Sequence, residues 1–134
     1  MKTGNLQRRW SETRPETYDR ETRLVCMDIQ PEQRPDESGE LVDGFSYFQV
    51  EIDTLIDYGH IKSQLIEAGF AQKDEFGLLM NAVESMVSAV KSSNSWSAFK
   101  SAVDVDAINT FAEFCEFRTM CSEAAHVVMN AYPN

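Results

Sequence analysis

The apolar period of this chain changes once, and that change bounds the fold. Before residue 54, large apolar side chains alternate in two short runs, the period of a strand with one buried face. In residues 23–30, Val25, Met27 and Ile29 alternate with Cys26 and Asp28. In residues 45–53, Phe48, Val50 and Ile52 share one face, and Phe45 and Tyr47 take the other. Between them, residues 31–44 hold Pro31, Pro35, Asp36, Ser38, Gly39, Asp43 and Gly44, the composition of a loop. The two runs are expected to pair as an antiparallel hairpin with a long tip. A lone two-stranded hairpin is marginal in water, so it must pack on helices or on a partner.

After residue 54 the apolar spacing becomes three and four. Asp57 is expected to cap a short helix carrying Ile61, Leu65 and Ile66, ended by Gly69. Asp74 and Glu75 favour the start of the next helix through its dipole. That helix has the cleanest pattern in the chain: Phe76, Leu79, Met80, Val83, Met86, Val87 and Val90 lie on one face. The run Ser92–Ser95 is a linker and cap. Trp96, Phe99 and Val103 make a brief helical face, and Asp104 caps a long last helix that Pro133 closes.

The last helix is apolar on more than one side. Ile108, Phe111, Ala112 and Cys115 form one stripe; Phe114, Phe117, Cys121, Ala125 and Val128 form another, rotated from it. One stripe suffices for a surface helix. Two stripes mean either a central helix enclosed by its own domain or a helix shared with a neighbouring subunit.

The expected architecture is therefore α+β: a two-stranded antiparallel hairpin packed on three or four helices, with an extended N-terminal arm. The arm is 1–22 and the single domain is 23–134. Residues 1–22 hold only Leu6, Trp10 and Tyr18 as large apolar groups, set among charges and Pro15. On this reading the body folds without the arm.

Charge is divided along the same line. Residues 1–24 carry six basic and four acidic side chains; the remaining 110 carry six basic and eighteen acidic ones, within a total of −10. So acidic a body repels phosphates, which argues against direct nucleic-acid binding. It also permits an acidic surface that imitates nucleic acid. No secretory signal follows Lys2 and no stretch approaches a membrane span, so a cytoplasmic protein with no membrane partner is expected. Cys26, Cys115 and Cys121 are odd in number and loosely spaced, read as free buried thiols.

No constellation points to catalysis, a metal or a cofactor. Asp104-Val105-Asp106 resembles half of a metal carboxylate pair, but it lacks the later Gly and Glu of a calcium loop, and capping accounts for both acids. Cys115 and His126, eleven apart on one helix, are separated by about 16 Å along the axis, too far for a nucleophile and its base. Gly39, Gly44 and Gly59 stand in no strand-to-helix phosphate loop. The chain is therefore expected not to be an enzyme.

The candidate functional residues are partner-binding ones. Arg8, Arg9, Trp10 and Arg14 place a tryptophan among arginines, the residue types that dominate interface hot spots. Either Trp10 inserts into a neighbour or it folds back on its own body; the first is favoured here. Phe114 and Phe117 are the candidates on the last helix, to be covered by the neighbour.

The segment 58–70 (YGHIKSQLIEAGF), followed by Asp74, Glu75 and Asn81, resembles a pattern in small uncharacterised proteins encoded in structural gene blocks of phages and prophages of Bacteroides-type gut bacteria. The hairpin ahead of it is similar too, and the likeness covers about half the chain. It implies a virion or tail-associated role, incorporation in the virion, and partners among virion proteins or further copies of the chain. The expected function is thus a non-enzymatic structural or assembly protein; the alternative is an acidic inhibitor that mimics nucleic acid against a host defence protein.

Overall fold

A computed structural model describes residues 3–133. In chain order the elements are β1 (Arg9–Ser11), β2 (Tyr18–Asp19), β3 (Leu24–Pro31), β4 (Arg34–Pro35), β5 (Leu41–Val42), β6 (Phe45–Glu51), α1 (Tyr58–Gly69), α2 (Gln72–Ser92), α3 (Trp96–Ala102) and α4 (Val105–Asn130). The mixed composition of strands and helices is the one expected.

The hairpin is β3 with β6, antiparallel, with Val25 opposite Val50 and Met27 opposite Phe48. Alternation at these positions turns their apolar groups to one side. The register shifts between Met27 and Gln30, where Asp28 takes a φ of 51°, as an inserted residue in a bulge does. The loop tip is folded into a second, two-stranded sheet of β4 and β5. Asp36 closes its turn: its Oδ1 accepts from the Ser38 amide at 2.8 Å, the Ser38 hydroxyl at 2.7 Å and the Glu40 amide at 3.1 Å. These bonds, the Ser38 hydroxyl foremost, hold its carboxyl below the ordinary range.

The sheet is wider than expected because the N-terminal segment joins it. The strand order is β1-β6-β3-β2, so both outer strands come from residues 1–22. Residues 3–22 are thus not an extended arm, and Met1 and Lys2 lie outside the described residues. Three contacts with distant parts of the chain tie the segment down. Arg9–Ser11 pairs with Phe45–Tyr47. The Asn5 amide donates to the Gly69 carbonyl at the end of α1, at 2.7 Å. Leu6 and Tyr18 pack against the core. Few as the apolar groups are, each has a place on the body, and β1 and β2 satisfy the edges of β6 and β3.

The core gathers Val25, Met27, Phe48 and Ile52 from the sheet side, Ile61, Leu65, Ile66 and Phe70 from α1 and its cap, and Phe114, Phe117, Cys121, Ala125 and Val128 from α4. Phe70 meets both phenylalanines edge-on, 4.8 Å from Phe114 and 5.3 Å from Phe117 between centroids. Of the two readings of α4, the structure takes the central helix: its second stripe is enclosed by α1 and the sheet of the same chain. The first stripe is not uniformly covered, since Phe111 is half-buried while Ala112 and Cys115 are exposed. Asp57, Ser95 and Asp104 each accept an amide at their helix N-terminus, from His60, Ala98 and Ala107 respectively.

Candidate protein-interaction face

Two apolar or small-residue stripes run along α2. Leu78, Ala82, Ser85 and Ala89, spaced four, three and four, form the first; Ala82 and Ala89 are buried. This stripe lies against α4, where Glu75 also pairs with Arg118 at 3.1 Å. The Ser85 hydroxyl accepts from the Asp104 amide at 2.7 Å, which joins α2 to the start of α4. Small side chains let two helices approach closely, so this side is the one that packs.

The second stripe is Phe76, Leu79, Val83, Met86 and Val90, with Val87 beside it. Its centre is rotated about 120° from the first at 3.6 residues per turn. It is the cleanest amphipathic pattern in the sequence, and it faces out. Phe76 is 62 % exposed, Val83 41 % and Val90 63 %, and Leu79, Met86 and Val87 are exposed as well. Trp96, four residues past the end of α2, is 71 % exposed and stacked on Phe99 at 5.5 Å. Single exposed apolar residues are ordinary; a continuous row of large ones along four turns is the mark of an interaction surface. No charged side chain interrupts the row. Asp74 and Glu75 lie in the first turn of α2 and Lys91 in the last.

The residues singled out from sequence lie elsewhere. Phe114 and Phe117 are 0 % exposed within this chain's own core and offer no surface to a neighbour, because α1 and the sheet already cover them. Trp10 is half-buried against Gly44, its indole N–H donating to the Glu32 carbonyl at 2.8 Å, with the Arg34 guanidinium 5.9 Å above the ring. Its anchor is its own body. Arg8 is taken up by the Asp28 carboxylate and carbonyl and the Ser46 hydroxyl, and lies 4.5 Å over the Phe48 ring. Arg14 sits 5.9 Å from the centre of the Phe45 ring, and it and Arg9 are exposed. The structure therefore gives Arg8, Trp10 and Arg14 separate contacts along the sheet and its tip, apart from Phe114 and Phe117 in the core.

Other chemistry-bearing groups are structural or solvated. His60 Nε2 lies 2.7 Å from Asp53 Oδ2, a pairing with no sequence signal because it forms across the loop between β6 and α1. That hydrogen bond holds the Asp53 carboxyl low, on an open surface without the desolvation that poises a catalytic pair. His126 stacks on Tyr58 at 4.5 Å, and the Tyr58 hydroxyl bonds that of Ser122 at 2.5 Å. Of the thiols, Cys26 and Cys121 are buried as expected, but Cys115 is exposed on the outer side of α4. A cleft of about 490 Å³ between α2, α3 and α4 is lined by Glu84, Ser85, Ser88, Asp104, Asp106 and Thr110 among others. Asp104 is committed there as a helix cap, and among the described residues no cluster of three His, Cys, Asp or Glu could hold a metal ion. No helix of the described residues is long and apolar enough to cross a membrane.

No protein-family model, curated protein or solved structure matches the chain. The functional reading therefore stands on the geometry of this surface. Sequence periodicity located the outer row of α2 but not its direction. The signal that separates the two stripes is side-chain size: Ala82, Ser85 and Ala89 suit close packing, and the large row is then left over.

Proposed function

We propose that this protein is a non-enzymatic structural or assembly protein that acts through protein–protein contacts made by the outer face of α2. The exposed row from Phe76 to Val90 carries the reading. Fully burying an apolar side chain of this size is worth about 1.5–3 kcal/mol, and roughly half of that is still to be gained at each of these half-exposed residues. The resemblance of segment 58–70 to proteins of phage structural gene blocks supports a virion or tail as the assembly. The nucleic-acid-mimic reading gains nothing from this face, which is uncharged.

The test is a photo-cross-linking amino acid at Val83, with a second at Glu37 as control, in the cell that makes the protein. Protein adducts at position 83 and not at position 37 are expected. Absence of any protein adduct at 83, or adducts to nucleic-acid-binding host proteins at 37 alone, would retire the reading. Purified virions lacking the chain would retire its virion setting.

A further inference from the structure

We propose that the occupant of the outer α2 face is a second copy of this chain, paired antiparallel about a two-fold axis near Val83. The inference rests on the protein-contact reading above and names its partner.

The pattern points to a helix as the occupant. Phe76, Leu79, Val83, Met86 and Val90 alternate in steps of three and four, the seam by which two helices pack side by side. Met80 and Val87 widen the seam on one flank. A two-fold axis presents the same patch on both subunits, so a seam this regular is its own complement.

The uncharged seam admits a second copy, and the helix dipoles set its direction. The chain carries −10, so two copies repel wherever acidic surface meets acidic surface. The seam itself holds no charged side chain, which makes it the face where that repulsion is least. Antiparallel pairing sets the two helix dipoles head to tail. Parallel pairing would align the two helix dipoles unfavourably.

The area suffices. The exposed parts of the six apolar residues from Phe76 to Val90 amount to on the order of 500 Å² per copy, so a pair buries about 1,000 Å², where specific interfaces begin.

Sedimentation of the full chain tests the pairing. A mass of twice 15.2 kDa is expected, retained at high salt because the contact is apolar. Val83→Glu and Val90→Glu should each give the monomer with unchanged helical circular dichroism, since both side chains are exposed. Direction is read by disulfide trapping in a Cys115→Ser background. Val83→Cys should link to its own mate. Phe76→Cys and Val90→Cys should not link alone, being about 21 Å apart along the helix, but should link when the two chains are mixed. A wild-type monomer at about 100 μM, or a dimer that survives both glutamates, would overturn the inference. Ready self-linking of the two end variants would overturn the antiparallel direction. A monomer that cross-links a foreign protein through position 83 would overturn the self-pairing and leave the protein-contact reading standing.

Discussion

The hydroxyls of Tyr18 and Tyr132 meet at 2.5 Å, joining the second strand of the chain to the residues just beyond its last helix. Their rings tilt at 55° with centroids 5.9 Å apart, and the Arg20 guanidinium lies 4.3 Å over Tyr132. This contact closes the N-terminal segment onto the body across 114 positions of sequence.

Burial, with the bond to Tyr132, pushes the Tyr18 phenol from 10.0 up to about 12. The fold thus favours the neutral phenol. Its stabilising contribution is complete below pH 10.0 and is lost as pH climbs through about 12. Tyr18→Phe should cost about 1 kcal/mol at neutral pH, measured by urea unfolding at fixed protein concentration. The gap between wild type and variant should narrow above pH 10.0. A gap unchanged up to pH 12 would contradict the shared hydroxyl bond.

Removal of residues 1–22 should damage the body rather than merely free it of an arm. The deletion strips β1 from β6 and β2 from β3, removes Leu6 and Tyr18 from the core, and leaves two unpaired sheet edges. Loss of the sharp unfolding transition and aggregation on gel filtration are expected. A shortened chain with an unchanged urea midpoint would show that the sheet needs neither strand.

Two glycines should respond oppositely to alanine. A methyl on Gly69 would stand 2.7 Å from the Thr3 carbonyl oxygen and 2.8 Å from the Phe117 ring, so Gly69→Ala should cost about 1–3 kcal/mol. Gly77 lies within α2 with open space around it, and Gly77→Ala should stabilise by about 0.5–1 kcal/mol. Chemical denaturation of both variants checks the pair.

Burial pushes the Cys121 thiol up to about 12 and raises that of Cys26 as well, while Cys115 is exposed. A thiol reagent near pH 8 should label Cys115 rapidly and the other two only after unfolding. Rapid labelling of Cys121 in the folded chain would mean that α4 is not enclosed as described.

The helix caps, the two central strands and their antiparallel pairing were legible in the residues because each is a local matter. A capping aspartate, an alternating run and a proline act on their own neighbours in sequence. The fate of residues 3–22 was not legible, since three scattered apolar groups form no period. Their places on the body depend on Gly69, Gly44 and Tyr132, far along the chain.

The same division holds for the two helices that matter most. Periodicity drew the apolar rows of α2 and α4, because the angle between side chains follows from helical geometry alone. Whether a row faces inward depends on what else competes for the core. Phe114 and Phe117 won that place because α1, Phe70 and the sheet close around them. The large row on α2 lost it because Ala82, Ser85 and Ala89 bring α2 nearer to α4, and turning them inward turns Phe76, Val83 and Val90 to the outside.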